Sequence, residues 1–514
     1  MSSGAPVPHD IDPSFTSLPY RRLADAALSR ARDFNVTHAD FRFERVRYQD
    51  IRVRDGHLQG ASDTEDVGFA VRVILGGAWG FASGVVLTPE AAVQVAETAV
   101  RTAQIAAAMT TRPVALAPEP VHADVEWVSS YEIDPFGVPL AEKVSLLAGW
   151  SGDLLKAASV AHSSGLVRQV FENKFYADLS GTTTTQQRVR LEPELEVYGS
   201  DEQSGRFDSM RTIAPPVGRG WEYLVGDLRD WAGELAELPD LLAEKLAAPS
   251  VEPGQYDLVI HPSNLWLTIH ESIGHATELD RALGYEANYA GTSFATPDQL
   301  GKLQYGAPIM HVTGDRTVEH GLATIGYDDE GVQTQSWDLI KDGILVGYQL
   351  DRPTAHLMGL ARSNGCAYAD SPGHIPIQRM ANVSLQPAAD GPDTDGLISQ
   401  VERGIYIVGD NSWSIDMQRY NFQFTGQRFY KIENGRLAGQ LRDVAYQATT
   451  TDFWNSMEAL GGPQTWELGG AFNCGKAQPG QVASVSHGCP SALFRDVRIL
   501  NTTDEAGNRT DDQD

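Results

Sequence analysis

The sequence predicts an α+β fold in two parts: an N-terminal α+β domain whose strands pair as hairpins, and a C-terminal, mostly β domain, barrel-like or a mixed sheet, that carries a chemically loaded helix. Three observations lead there. In the first half, alternating apolar residues flank tight Gly turns, and helical spacings stand between the strand pairs. Strands that arrive in hairpin pairs favour α+β over a doubly wound parallel sheet. A Pro-rich break at Ala248-Pro249-Ser250 and Pro253-Gly254 then ends that style, and from about Ile309 to Leu500 short strands and turns dominate.

Taken in order, Leu18 to Phe34 has helical spacing, and Asp40 to Leu58 alternates and turns at Asp55-Gly56. Val67 to Leu75 and Trp79 to Val86 form a strand pair about Gly76-Gly77. Thr88-Pro89-Glu90 supplies a cap, a first-turn proline and an early acid for a helix reaching Ala108. A helix over about Leu140 to Ala158 follows, then strands at Leu166 to Leu179 and Thr185 to Val197, and a helix over Leu228 to Ala247 interrupted at Pro239. Beyond the break, Tyr256 to His261 is a strand, and Leu265, Ile269, Ile273, Ala276 and Leu279 recur at helical spacing. Turns at Asp342-Gly343 and Asn434-Gly435 punctuate the remainder. The domains are expected over 16–250 and 251–501, with 1–15 and 502–514 as flexible tails.

The 514 residues are 42% hydrophobic and 21% charged, enough to bury a large core without disulfide staples. Forty Lys and Arg against 68 Asp and Glu leave a net charge of -28, a field that repels nucleic acid and anionic membranes. No 18-residue apolar run suggests a membrane span, and the start lacks the basic and apolar regions of a secretory signal. Only Cys366, Cys474 and Cys489 occur, too few for a disulfide framework. These features lead us to expect a soluble cytoplasmic protein with free thiols, binding neither nucleic acid nor membrane.

The helix after Tyr256 to His261 carries His270-Glu271-Ser272-Ile273-Gly274-His275. Metalloprotease helices usually place two His at i and i+4, about 40° apart at ~100° per residue, whereas i and i+5 lie about 140° apart. A regular helix would therefore aim His270 and His275 away from a common ion. A π-turn of about 4.4 residues closes the gap to about 50°, and such turns concentrate at functional sites. Gly274 lowers the steric cost of the distortion. A structural reading stands beside this one: Glu271 and His275 form an i,i+4 surface pair, and His270 is buried and hydrogen-bonded.

A catalytic zinc takes three protein ligands and keeps a position for water. Cys474, in a turn-rich stretch, is the candidate third donor, with His487 and Cys489 as rivals and Cys366 lacking an electropositive setting. An isolated cysteine is also commonly a small buried hydrophobe. Other motifs fail on chemistry. Gly470 to Lys476 begins like a phosphate-binding loop, but Ala477 replaces the needed Ser or Thr and Pro479-Gly480 forbids the following helix. Gly291 to Ala295 falls short of a nucleophile elbow and reads as a turn. A blue-copper site lacks its axial Met, and Asp328-Asp329-Glu330-Gly331 lacks the calcium-loop pattern and reads as a solvated turn.

Taken together, the His270 to His275 helix, Gly326-Tyr327-Asp328-Asp329-Glu330-Gly331, Asn364-Gly365 through Met380, Gly404-Ile405-Tyr406 and Cys474-Gly475-Lys476 resemble, in order, the TldD branch of the TldD/PmbA proteins. The resemblance spans most of the chain and is strongest from about Val259 to Lys476. It implies a zinc metallopeptidase, with His270, His275 and Cys474 as Zn²⁺ ligands and Glu271 as general base. It also implies action on unfolded or modified peptides inside an enclosed chamber, and assembly with a PmbA-type paralog or as a homo-oligomer. A non-catalytic peptide-binding or chamber-forming subunit is the alternative. The sequence departs from relatives at Cys366, where a basic residue is usual, and at Ser486-His487-Gly488-Cys489-Pro490.

Overall fold

The computed structural model describes residues 9–201, 205–477 and 480–505. Helix α1 (Tyr20–Arg32) buries Tyr20, Leu23, Ala24, Ala27, Leu28 and Ala31, a stripe at helical spacing. It packs beside the first sheet, whose hairpin strands are β1 (His38–Arg54), β2 (His57–Leu75) and β3 (Ala78–Gly84). Helix α2 (Pro89–Ala107) starts where the Thr88 side chain accepts from the Ala91 amide, and it buries alanines against β3. The approach is close enough that a Cβ on Gly80 would lie 1.9 Å from the Ala99 carbonyl oxygen. Helix α3 (Leu140–Leu154) leads to β4 (His162–Asp178), β5 (Thr183–Asp201) and β6 (Arg206–Arg211). The order across the sheet is β3-β2-β1-β4-β5, with β6 and the short strand Val125–Val128 both on β5.

Here the structure departs from sequence expectation in two places. Residues 9–15, expected outside the fold, are anchored: Asp12 caps the turn Pro13–Thr16, and Ile11 and Phe15 are buried. Helix α4 (Trp231–Ala247) runs unbroken through Pro239, because Leu235, Leu238, Leu242 and Leu246 bury together against the sheet and outweigh the lost backbone bond. At the other end Thr502–Glu505 forms a short helical turn, and residues 506–514 of the expected tail lie outside the described residues.

Past the break, β7 (Gly254–Ile260) leads into helix α5 (Pro262–Ile269). Later come β8 (Arg403–Ile415), β9 (Asn421–Glu433), β10 (Val444–Thr449), β11 (Glu467–Ala477), β12 (Gly480–Cys489) and β13 (Ala492–Asn501). Strands β8, β7, β13, β10 and β9 pair in that order, and β9 pairs back to β8, closing a five-stranded barrel. Leu258, Ile260, Ile405, Ile407, Phe422, Phe424, Tyr446 and Phe494 belong to the core around it. The expected barrel-like β region is thus a closed barrel, and α5 leaves it directly from the end of β7.

Asp328, Asp329 and Glu330 are not a solvated turn but a buried knot against the first sheet. Asp329 pairs with Lys174 at 2.8 Å and Glu330 with Arg72 at 3.1 Å. Asp328 accepts backbone amides from Glu330, Val332 and Ala367. Buried carboxylates are tolerable when paired in this way.

The hairpin β11–β12 lies against α5, and Gly469 sets the approach: a Cβ there would sit 2.3 Å from Trp266 Cγ. Replacing Gly469 by Ala should lower stability by about 1–3 kcal/mol through overpacking against a rigid indole. Urea unfolding read by tryptophan fluorescence measures this; an unchanged midpoint would show that the hairpin is free to shift.

Candidate active site

Helix α5 does not continue as an α-helix. His270–Gly274 is a π-turn, closed by the His275 amide donating to the His270 carbonyl, and His275–Thr277 tightens to a 3₁₀ turn. The i to i+5 distortion expected from the spacing is present, and it turns both imidazoles the same way, with ring centroids 4.7 Å apart. Gly274 contributes differently from expectation. Its backbone is ordinary right-handed helix at φ -53°, so it is room that matters: a Cβ would lie 2.5 Å from Met380 Sδ. Carbonyls where the helix ends are collected by side chains, one local and two distant. Tyr305 Oη donates to Ser272 O, Thr277 Oγ1 to Ile273 O at 2.8 Å, and Gln349 Nε2 to Gly274 O at 2.6 Å.

Cys474 arrives on β11. A donor atom from each of His270, His275 and Cys474 lies within 4.8 Å of the others, and all three residues are buried. Cys474 Sγ is 3.6 Å from His275 Nε2, about the edge of a tetrahedron built from ~2.0 Å Zn–N and ~2.3 Å Zn–S bonds. The donor set therefore fits a tetrahedral ion. Burial alone would push the Cys474 thiol up; His275 and Arg379 outweigh it and bring it below its ordinary value. The other two cysteines are buried in settings that push their thiols up, Cys366 to about 12.

Hydrogen bonds fix which ring nitrogen is free. His487 Nδ1 lies 2.9 Å from the Val383 carbonyl, which only accepts, so it carries the proton and Nε2 is bare. His270 Nδ1, 2.7 Å from that nitrogen, must therefore donate, leaving its own Nε2 as a lone pair. His275 Nδ1 donates to Glu278 Oε2 at 2.8 Å, which frees its Nε2 likewise. Burial holds both imidazoles below their ordinary pKa, in the neutral form that binds metal. His487, weighed from sequence as a rival ligand, thus stands behind His270, and Cys489 lies beside the Pro262 carbonyl.

Glu278 is clamped in turn. Lys476 Nζ reaches it at 3.1 Å and Asp280 at 2.8 Å, and Arg281 Nε lies 3.5 Å from it. Burial alone would raise Glu278, but Lys476, His275 and Arg281 hold it well below the carboxylate range. Glu271 faces the other way, into a cleft of about 640 Å³ lined by the three donor residues, β11, Glu192, Glu194 and Glu196 of β5, and Trp413. There one oxygen accepts from Arg419 Nη1 at 2.5 Å. Sequence reasoning did not find Arg419: it stands in a short turn with no motif around it. Gly470 to Lys476 is strand, as its rejection as a phosphate loop requires. Ser293 is buried with its hydroxyl donating to Ala276 O, no nucleophile.

Residues 253–501 match the PmbA/TldA metallopeptidase C-terminal domain, and residues 39–103 match domain 1 of the same family. A metalloprotease of Archaeoglobus fulgidus is 30% identical over 367 residues, 70% of this chain and 78% of that one. The chain belongs to the PmbA/TldD metallopeptidase family. A metalloprotease of Methanothermobacter thermautotrophicus is 27% identical over 91% of this chain and 96% of its own. A zinc metalloprotease TldD homolog of Saccharolobus solfataricus is 24% identical over 54% and 58%. The crystal structure of a Thermotoga maritima protein superimposes with a TM-score of 0.74 at 16% identity, covering 94% of this chain and all of that one, so the fold is that of the family.

Removing the partner that orients a ligating imidazole typically lowers metal affinity about 10–100-fold. His487→Ala should show that loss in a Zn²⁺ competition against a chromophoric chelator, and His487→Gln, whose amide oxygen can accept from His270, should recover part of it. Equal affinities in all three proteins would dismiss the orienting role. Lys476→Met leaves Glu278 and Asp280 buried with less compensation and should cost about 3 kcal/mol in urea unfolding; a loss under 1 kcal/mol would mean that water reaches the pair.

Proposed function

We propose that this chain is a zinc-dependent peptidase acting on unfolded or modified peptides, with His270, His275 and Cys474 as the metal ligands and Glu271 as the general base. The observation that carries the reading is the convergence of three donor atoms within 4.8 Å on one side of a cleft, with the Glu271 carboxylate in that cleft. Two neutral imidazoles and a thiol biased toward thiolate suit Zn²⁺, the metal in the name of the Saccharolobus solfataricus relative. Bound there, Zn²⁺ supplies a Lewis acid for the scissile carbonyl and lowers the pKa of water at the site.

The chain's own residues do the rest. Glu271 takes a proton from the attacking water and returns it to the leaving amine, a role usually contributing about 10²- to 10⁴-fold. Strand β11 pairs with β12 alone among the described strands, and Glu467 to Gly475 line the cleft. A peptide laid beside β11 would bond through its backbone, which selects extended chains rather than a particular sequence. In the proposed division at 16–250 and 251–501, the second part supplies the ligands and the first supplies the facing wall from β5 and β6. A cytoplasmic setting, and assembly with a PmbA-type paralog or with copies of itself, complete the reading; unpaired cysteines and the family resemblance support them.

The purified chain should carry one zinc, lose peptide hydrolysis to a chelator and regain it with Zn²⁺. Glu271→Gln should keep the metal and lose about 10²- to 10⁴-fold in kcat. Metal analysis and cleavage of a quenched fluorescent peptide measure both. A chain with no stoichiometric zinc and no chelator-sensitive hydrolysis supports instead a non-catalytic, peptide-binding or chamber-forming subunit.

A further inference from the structure

Arg419 sits in the turn between β8 and β9 with φ at +64°, a left-handed conformation uncommon for a residue with a side chain. The turn is pinned from within. Asp416 Oδ1 accepts the amides of Gln418 and Tyr420 at 3.0 and 2.8 Å, and its Oδ2 accepts that of Asn421 at 3.0 Å. It is pinned from outside as well: the Thr292 amide donates to Met417 O, the Phe294 amide to Gln418 O, and Thr450 Oγ1 to Arg419 O. The backbone thus aims one guanidinium into the cleft and holds it there.

That guanidinium is under-used. Nη1 donates to Glu271 Oε2, while Nε is buried with no hydrogen-bond partner. A purely structural ion pair would spend its donors on the carboxylate, and an arginine offers five N–H groups in a fixed fork. Arg419 lines the cleft together with His270, Glu271 and Cys474, so an acceptor reaching the outer nitrogens of its fork would stand beside the donor cluster, where a scissile carbonyl must lie.

We propose that Arg419 is a catalytic residue, which holds the Glu271 carboxylate ready in the resting cleft and donates hydrogen bonds to the scissile carbonyl oxygen as it becomes an oxyanion. This rests on the peptidase reading above. Water oxygen bonds to the carbonyl carbon, the carbonyl π electrons move onto oxygen, and Glu271 takes the water proton. The C–N bond then breaks, the carbonyl re-forms, and the amine leaves with the proton from Glu271. Arg419 exchanges no proton; it donates to negative charge at each stage, the kind of preorganised donor whose removal costs about 10²- to 10³-fold in kcat.

Arg419→Gly, which suits the backbone at this position, and Arg419→Lys are compared with wild type on the zinc-loaded protein. Both should lose about 10²-fold or more in kcat, with KM within about threefold. A phosphinate peptide, a tetrahedral anion, should bind the variants more weakly in proportion by calorimetry, and zinc affinity by chelator competition should stay within about threefold. Added guanidinium should raise kcat of Arg419→Gly. Unchanged kcat and phosphinate binding would overturn the proposal, and so would a loss that appears in zinc affinity or in KM alone. Should Arg419→Gly fail to fold, Arg419→Lys carries the same criteria. A wild-type chain without chelator-sensitive hydrolysis brings down the peptidase reading; an active wild type with unaffected variants removes this inference only.

Discussion

One hydrogen bond, from the His275 amide to the His270 carbonyl, spans five residues instead of four, and the site is built around it. A helix that kept its ordinary ladder would point the two rings about 140° apart. The wider turn leaves backbone carbonyls that buried surroundings cannot hydrate, so each needs a side chain with a donor. Tyr305, Thr277 and Gln349 supply those donors, and Trp454 Nε1 bonds the Ser272 hydroxyl at 2.9 Å. Residues up to 182 positions away in the chain are thereby committed to one irregular turn.

The same economy joins the ligands to one another. Along β11, Cys474 and Lys476 stand two apart and so on one face of the strand. Along the turn, His275 and Glu278 stand three apart and bond through Nδ1. Lys476 clamps Glu278, Glu278 orients His275, and His275 meets Cys474 at 3.6 Å. Donors that come from segments 199 residues apart are registered by a buried charge pair whose members each neighbour a ligand. His270 is held differently, through a neutral His487 that ends on a backbone carbonyl, so the third donor is positioned without adding another charge.

Much of this was readable in the sequence because it follows from spacing. The hairpins of the first sheet, α2 with its Thr88 cap, and the need for a π-turn between His270 and His275 all come from local periodicity or geometry. What was not readable depends on partners far along the chain. Pro239 sits inside an intact helix because its leucines find a sheet. Asp328 to Glu330 have the composition of a surface turn, and only Lys174 and Arg72, from the other sheet, make their burial tolerable. His487 carries no spacing relation to His270, so a ligand and a residue behind a ligand look alike until the Val383 carbonyl fixes its proton. Arg419 had no signal beyond an arginine in a turn.

These differences divide the site into a fixed half and a responsive half. Groups that would hold an ion are buried, and both imidazoles are hydrogen-bonded to buried partners, as ligating imidazoles usually are. The groups proposed to face substrate, Glu271 and Arg419, come from opposite elements, meet through one hydrogen bond and both line the cleft. In the proposed reading, a peptide laid beside β11 would enter the cleft that both groups line. Its carbonyl can then compete for the guanidinium without disturbing the imidazoles, because nothing in the Arg419 turn bonds to His270, His275 or Cys474. Rigidity where charge is to be held, and spare donors where charge is to appear, follow from how the two halves are anchored.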